Sequence, residues 1–240
     1  MKALRVIALT AALAAASTAA HALPTIYNDS IAAGTASFDS TIAAVSGTLF
    51  TDSLSGLTDG ATSWARTGYT ISSTSGVGRF IDTTYLTGAR PAGTGGESIG
   101  INPTAPANTS GLTFTFLSPV NAFGLEIGDW GTCCQPSALY ISFDGGAVVQ
   151  VAVDTTGAQN PGLAAGDGYR NFVAAIDDSA TFSTVTFYGD GFGEYLVAGG
   201  TIRYATVRIR SVSGVPEPAT LALTGLALAG LAAARRRKQS

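Results

Sequence analysis

Alternation of apolar and polar residues runs through most of the chain between residues 23 and 214. Residues 112–116 read Leu-Thr-Phe-Thr-Phe, which puts three large apolar side chains on one face and two threonines on the other. Residues 149–153 repeat the pattern, and residues 205–210 place their odd-numbered apolar side chains on a buried face. Because successive side chains of a strand point to opposite faces, this period of two predicts half-buried β-strands.

Seven further segments have strand-like composition, and Asp-Gly or Asn-Pro-Gly turn signals lie among them. They are residues 36–43, 47–54, 69–73, 78–84, 123–127, 139–143 and 184–188. No segment keeps a 3.6-residue period over three turns; residues 170–176 are the best helical candidate and fit a strand equally well. Residues 90–108, rich in Gly, Pro and Thr, are expected to form a surface loop. We therefore predict an all-β fold, a single antiparallel β-sandwich or jelly-roll-like domain over residues 23–214.

The first 22 residues have the order of a secretory signal peptide. Lys2 and Arg5 supply the positive start, and an apolar run of Val, Ile, Leu and Ala follows. An Ala-His-Ala sequence then ends at Ala22, with small residues at the −3 and −1 positions of the expected cleavage site. We therefore expect the mature chain to begin at Leu23.

The C-terminus carries three blocks in a fixed order. They are Val215, Pro216, Glu217 and Pro218, then an uncharged helix-forming run over residues 219–234, and then Arg235, Arg236, Arg237 and Lys238. A helix over 219–234 would span roughly 24 Å at about 1.5 Å per residue, short of a hydrocarbon core of about 30 Å. The basic block favours the cytoplasmic side of a membrane. The order predicts a weakly anchored transmembrane helix with the body of the chain outside.

This C-terminus resembles the PEP-CTERM sorting domain of Gram-negative bacteria over residues 215–240. The resemblance implies that an exosortase-type processing enzyme recognises the Pro-Glu-Pro segment, in the manner of a sortase and its LPXTG substrates. It also implies transient insertion in the inner membrane, followed by a location at the cell envelope surface or in the extracellular matrix. Cargo of that family is typically linked to exopolysaccharide production. The resemblance assigns no activity to the body.

The body between the two terminal segments is acidic and contains no lysine. Its seven arginines stand against fifteen carboxylates, a balance of −8, whereas the whole chain carries −3 because the termini supply most of the positive charge. Such a surface repels nucleic acid and suits neutral polymers or divalent cations. The one histidine, His21, lies in the signal peptide. The Gly-x-Ser-x-Gly sequence around Ser98 therefore lacks the histidine that a serine nucleophile needs.

Two features of the body are candidates for binding or redox chemistry. Trp130 lies in a loop-like Gly-Asp-Trp-Gly sequence and is the first candidate for a ligand-facing side chain, with Trp64 second; core packing is the alternative for both. Cys133 and Cys134 are the only cysteines and are adjacent. In an oxidising compartment they would form a vicinal disulfide that rigidifies one turn. Free or intermolecular thiols and a redox pair are the alternatives.

Acidic residues give two further hypotheses. Glu126 and Asp129 are the first pair to test for glycoside hydrolysis, which needs two carboxyl groups about 5–9.5 Å apart. Acidic positions also offer oxygen ligands for calcium, but none has the spacing of an EF-hand, and Asp-Gly turn chemistry is the favoured interpretation. They are Asp129, Asp144, Asp177, Asp178 and residues 190–194. We predict no catalytic residue, no cofactor and no metal site.

The expected function is that of an exported cell-surface or matrix protein, not an enzyme, with a structural or adhesive role in an exopolysaccharide layer. Its expected partners are an exosortase-type enzyme and exopolysaccharide, and no nucleic acid. A carbohydrate-binding module is the first alternative, and a hydrolase acting on polysaccharide is the less favoured one. Exposure of Trp130 in a groove would favour the module, and a cleft shared by Glu126 and Asp129 would favour the hydrolase.

Overall fold

Two antiparallel sheets lie face to face in the computed structural model, which describes residues 23–87, 96–101, 110–189 and 196–212. In chain order the strands are β1 (Thr25–Ser30), β2 (Thr48–Ser53), β3 (Ser63–Arg66), β4 (Tyr69–Ser73), β5 (Ile81–Asp82), β6 (Ser98–Ile101), β7 (Gly111–Val120), β8 (Ala122–Gly128), β9 (Ser137–Phe143), β10 (Val149–Asp154), β11 (Arg170–Ile176), β12 (Phe182–Tyr188) and β13 (Leu196–Thr206). The helices are α1 (Ile31–Ala44) and α2 (Pro161–Ala164).

The two sheets have different strand orders. The first runs β1-β11-β8-β13-β6-β5, and β2 pairs with the later part of β13. The second runs β10-β9-β12-β7-β4-β3. Every pairing among the described strands is antiparallel. The predicted fold class, an antiparallel β-sandwich, is confirmed.

Alternate side chains of the two sheets form the main core between them. The inward residues include Leu112, Phe114 and Phe116 of β7 and Phe123, Leu125 and Ile127 of β8. The rings of Phe114 and Phe123 meet across the sandwich with centroids 4.6 Å apart. Side chains of two inner sheet faces interdigitate in this way in aligned sandwiches. The period of two seen in residues 112–116 therefore identifies the inner face of β7.

Helix α1 occupies the segment for which the sequence predicted a strand over residues 36–43, and that prediction is wrong. The hydroxyl oxygen of Ser30 accepts the backbone N–H of Ala33 at 3.4 Å, which caps the first turn. The buried residues of the helix recur every four positions: Gly34, Phe38 and Ile42. Ala, Ser and Thr fill much of the remaining surface and suit either element, so the short apolar period was ambiguous in the sequence.

Helix α1 covers the outer face of the first sheet, the face turned away from the second sheet. The ring of Phe38 on this helix packs against the ring of Phe172 on β11, and the two ring centroids are 5.6 Å apart. A Cβ at Gly34 would lie 2.9 Å from Cδ1 of Phe172, so a glycine is needed for this close approach. Ala122, Ala174 and other outward residues complete this second, smaller core. Tertiary packing on the sheet thus stabilises the helical conformation.

Most predicted strand segments overlap strands of the structure. They are residues 47–54, 69–73, 112–116, 123–127, 139–143, 149–153 and 184–188, and residues 170–176 are strand β11. Residues 78–84 contain only the two-residue β5, and β6 lies buried within the expected surface loop 90–108. The alternation predicted for residues 205–210 stops early, because β13 ends at Thr206 and Ile209 is 51% exposed.

The two terminal segments lie outside the described residues. This applies to the expected signal peptide at residues 1–22, to the helix expected at 219–234 and to the two C-terminal blocks on either side of it. In the four described ranges, no helix is both long and apolar enough to cross a bilayer. Contacts group Pro24–Ser213 into one compact unit.

Candidate functional site: a polar pocket on the outer face of the first sheet

A bulge in β13 lies next to a polar site on β8. Gly199 pairs with Glu126 and Arg203 pairs with Gly124, so four steps along β13 match two steps along β8. Gly199 and Gly200 have φ angles of +143° and +59°, backbone conformations that favour glycine. Bulges commonly redirect side chains next to binding sites. Here β13 has two extra residues beside Glu126.

The site is a pocket of about 350 Å³, which we name the outer-face pocket. Its chemistry-bearing residues are Thr35, Glu126, Asp167, Arg170, Thr201 and Arg203. The first turn of α1 supplies the rest of the wall through Ile31 and Ala32. A volume of this size lies at the lower end of the range of about 300–1,000 Å³ that is usual for small-molecule sites.

Glu126 and Arg203 form an open ion pair in this pocket. Glu126 is only 2% exposed, and Oε1 of its carboxylate lies 4.0 Å from Nη1 of Arg203, beyond hydrogen-bond distance. Within the described part of the chain, Nη1 of Arg203 is buried and has no hydrogen-bond partner. Burying a donor without a partner costs about 1–3 kcal/mol. The pair therefore retains an unused donor next to an acceptor.

The other side of the Arg203 guanidinium is held in place. Its Nε donates to the carboxylate of Asp39 on α1, at 3.2 and 3.4 Å from the two oxygens. The guanidinium carbon also lies 5.8 Å from the ring centroid of Phe172. Gly200 confines the carboxylate opposite, because a Cβ at this position would clash with Oε2 of Glu126. The positions of both charged groups are thus fixed by their surroundings.

A second carboxylate–arginine pair joins β2 to β3 and is closed. Arg66 donates from Nε and Nη2 to the two carboxylate oxygens of Asp52 at 2.8 and 2.7 Å. Its Nη1 donates to the carbonyl of Ser55 at 3.0 Å, and the hydroxyl of Tyr69 donates to Asp52 at 2.7 Å. The hydrogen bond from Arg66 holds the pKa of Asp52 below its usual value although burial opposes this. Burial, with the hydrogen bond to Asp52, raises the pKa of Tyr69.

Sequence reasoning named Glu126 but missed its pocket partners. Arg170 and Asp167 lie at the start of β11 and in the turn before it, and Arg203 lies on β13, so only the strand pairing brings them together. The one available signal was the Gly199-Gly200 pair, since consecutive glycines within an apolar run indicate a bulge or a close approach.

Both tryptophans are core residues, so the hypothesis of a ligand-facing Trp130 is wrong. Trp130 is fully buried, and its indole N–H donates to the hydroxyl of Ser137 at 2.9 Å. Trp64 is 5% exposed and donates to the carbonyl of Thr58 at 2.9 Å. Each indole satisfies its single donor inside the protein, as buried tryptophans usually do. The loop-like sequence around Trp130 concealed this burial.

The structure does not bring Asp129 into the pocket that contains Glu126. Asp129 follows the end of β8 with a φ of +63° and lies outside the lining of the outer-face pocket. Burial raises its pKa, opposed by a hydrogen bond from Thr132 and reinforced by the charge of Asp82. The carboxylate that shares the pocket with Glu126 is Asp167.

The adjacent cysteines lie in an exposed turn. The sulfurs of Cys133 and Cys134 are joined as a vicinal disulfide, the first of the arrangements that the sequence allowed. Both residues are exposed, and Cys134 has a φ of +62°. The amide Nε2 of Gln135 donates to the carbonyl of Gly131 at 2.8 Å, which ties the turn to the loop before it.

Three of the acidic positions considered as calcium ligands accept backbone hydrogen bonds. Asp144 accepts the backbone N–H of Thr184 at 2.6 Å, and Asp177 accepts that of Ser179 at 3.1 Å. Asp178 accepts the N–H of Val212 at 2.7 Å, whereas residues 190–194 lie outside the described residues. Across the residues that the structure describes, no three His, Cys, Asp or Glu side chains are grouped closely enough to hold a metal ion.

Ser98 lies inside strand β6 and not at a strand-to-helix turn. It is fully buried, and its neighbours on the two sides are Gly199 of β13 and Asp82 of β5. A serine nucleophile of the Gly-x-Ser-x-Gly type stands on an exposed elbow before a helix. The local structure of Ser98 therefore does not match this motif.

The segment that follows the described body matches a known sorting motif. Residues 214–238 match the family model described as the PEP-CTERM protein-sorting motif. The chain carries a PEP-CTERM sorting motif. The motif indicates an exported protein with membrane-anchored sorting, and it implies processing by an exosortase. No curated protein matches the chain.

Solved structures resemble the body of this chain weakly. One is the K2 cleaved adhesin domain of Lys-gingipain, with 14% identity and a TM-score of 0.35 over 65% of this chain and 99% of that chain. Another is a family 29 carbohydrate-binding module, with 13% identity and a TM-score of 0.34 over 72% of this chain and 98% of that chain. Both TM-scores are below 0.5, so neither likeness says what this chain binds.

Proposed function

We propose that this exported protein has a structural or adhesive role in an exopolysaccharide layer. The sorting motif at residues 214–238 is the observation that carries the proposal, because it supports export and sorting of the body to the cell exterior. The acidic, lysine-free composition of the body gives further support, since such a surface suits an extracellular neutral polymer better than nucleic acid.

The route follows from the order of the C-terminal blocks. An exosortase-type enzyme recognises residues 215–218 while residues 219–234 are transiently inserted in the inner membrane. The basic block at residues 235–238 stays on the cytoplasmic side, which leaves the body outside. Processing then releases the body to the envelope surface or the extracellular matrix, where exopolysaccharide is its partner.

Binding fits the body better than catalysis, and we propose that the protein is not an enzyme. A polysaccharide hydrolase is the second candidate, because Glu126 and Asp167 both line the outer-face pocket. A glycosidase needs one of two carboxyl groups to hold a proton for the leaving group. Both carboxyl groups share the pocket with Arg170 and Arg203, and Oε1 of Glu126 lies 4.0 Å from Nη1 of Arg203; positive neighbours of this kind disfavour a proton-holding carboxyl group. Release of reducing sugar that disappears in Glu126→Gln would support the hydrolase.

The proposal is tested in the native host by intact-mass analysis of three fractions: envelope, extracted polysaccharide and medium. We expect a species that lacks residues 1–22 and the segment after Pro218, recovered with the polysaccharide. A double substitution, Pro216→Ala with Pro218→Ala, should keep the unprocessed chain in the envelope. A host strain that makes no exopolysaccharide is the matched control and should release the processed protein into the medium.

Two results would contradict the proposal. One is a chain that retains residues 221–240 in every fraction, which would make it a permanently anchored membrane protein. The other is a processed protein whose distribution between envelope and medium is the same in hosts with and without exopolysaccharide.

A further inference from the structure

The charges that line the outer-face pocket cancel. Glu126 and Asp167 carry negative charge, and Arg170 and Arg203 carry positive charge. A monoanion or a cation would therefore find one attractive pair and one repulsive pair. The acidic body, with a balance of −8, further disfavours a polyanionic ligand. The pocket is suited to an uncharged ligand with both donors and acceptors.

The open ion pair presents a donor and an acceptor side by side. Nη1 of Arg203 is a buried donor without a partner, and Oε1 of Glu126 lies 4.0 Å from it. One hydroxyl can accept from Nη1 while a neighbouring hydroxyl donates to the Glu126 carboxylate. Hydrogen bonds to charged groups contribute about 1.5–3 kcal/mol each. Vicinal hydroxyls of a sugar ring have the required chemistry, because each hydroxyl is both a donor and an acceptor.

The remaining wall suits the carbon skeleton of such a ligand. Ile31 and Ala32, in the first turn of α1, add apolar surface to the lining. Thr35 and Thr201 also line the pocket, and the hydroxyl of Thr201 shares a hydrogen bond of 2.9 Å with that of Ser53. A cavity of about 350 Å³ is small, which favours a short ligand segment over a long stretch of polymer.

We propose that the outer-face pocket binds an uncharged sugar unit of a polysaccharide, with Arg203 donating to one hydroxyl and Glu126 accepting from its neighbour. The inference rests on the proposed function, because it names the partner class and the site through which the protein holds the layer.

The test uses the full chain purified in a detergent without sugar headgroups. Isothermal titration measures its binding to neutral polysaccharides of glucose, galactose and mannose and to the acidic polymer polygalacturonate. We expect binding to at least one neutral polymer and none to polygalacturonate. Glu126→Gln and Arg203→Lys should each weaken binding by about tenfold or more, since glutamine is an uncharged acceptor and lysine lacks the Nη1 donor.

Matched controls change the same residue types elsewhere. Glu97→Gln and Arg208→Lys lie outside the pocket lining and should bind as the unaltered protein does. Ala32→Phe, at an exposed position of α1, should block the pocket without disturbing a buried group, whereas Ala36→Phe on the same helix should not. The Ala32 variant provides the test if a pocket substitution prevents folding.

The inference is overturned if no neutral polymer binds, if polygalacturonate binds more tightly, or if the pocket variants bind like their controls. Failure here leaves the proposed function standing where the protein is still retained with extracted polysaccharide in its host. Sugar binding in vitro together with no retention in the host supports the pocket and contradicts the proposed function.

Discussion

The two carboxylate–arginine pairs of this sandwich contain the same chemical groups but differ in their hydrogen bonding. Asp52 and Arg66 form two short hydrogen bonds and receive a third from Tyr69. Glu126 and Arg203 stand 4.0 Å apart, and one guanidinium nitrogen has no hydrogen-bond partner within the described residues. The first pair is complete and ties β2 to β3. The second is held open beside a pocket, which is the arrangement expected where a ligand completes the bonding.

Neutralising each carboxylate should separate the two pairs most clearly. Asp52→Asn removes charged hydrogen bonds from Arg66 and Tyr69 and should lower the free energy of unfolding by about 3 kcal/mol. Glu126→Gln should lower it by less, because Nη1 of Arg203 donates no hydrogen bond to Glu126, whereas Arg66 donates two to Asp52. Urea denaturation of both variants measures the difference. Equal losses would contradict the distinction between a closed and an open pair.

Gly200→Ala should give the next largest effect, and it changes the surroundings of the open pair and not those of the closed pair. Its φ of +59° is strained for alanine, and the added Cβ would clash with the Glu126 carboxylate, so we expect a loss of about 2 kcal/mol in the free energy of unfolding. Gly145→Ala is the control for backbone strain, since Gly145 has a φ of +67° with no atom within 4 Å of the added Cβ. A control loss as large as that of Gly200→Ala would remove the evidence for crowding at Glu126.

Tyr69→Phe should measure how much the hydroxyl of Tyr69 stabilises the closed pair. It deletes one hydrogen bond to Asp52 and keeps the ring, so the free energy of unfolding should fall by about 1.5 kcal/mol. Tyr204→Phe is the matched control and should be nearly neutral, because its hydroxyl lies 3.5 Å from the carbonyl of Thr67. Thermal and urea denaturation give both values. An equal effect of the two substitutions would mean that the hydroxyl of Tyr69 adds nothing to the pair.

The closed pair should also make stability depend on pH. The pKa of Asp52 is lowered in the folded protein, chiefly by its hydrogen bond with Arg66, so folding is favoured by the charged carboxylate. This contribution is complete above the unfolded pKa of about 4 and is lost as the pH falls through the lower folded pKa. The stability difference between the unaltered protein and Asp52→Asn should therefore shrink below pH 4. A difference that stays constant between pH 6 and pH 2 would contradict this.

The sequence predicted the sandwich more completely than it predicted the pocket. Alternation in β7 and β8 marks the inner faces because each strand reports its own burial. The pocket depends on the register between β8 and β13, which are far apart in the sequence. Arg203 and Glu126 come together through the bulge at Gly199 and Gly200 in that register. No local pattern contains that register. The helix over residues 31–44 was missed for a related reason, since packing against Phe172 and not residue propensity selects it.

The most direct test follows the side-chain N–H signals of Arg203 and Arg66 by NMR during titration with the neutral polysaccharide that binds. The account predicts that the Arg203 guanidinium signals shift in proportion to saturation while those of Arg66 stay in place, because only the open pair has an unused donor. Shifts at Arg66, or saturable binding that leaves Arg203 unchanged, would contradict it.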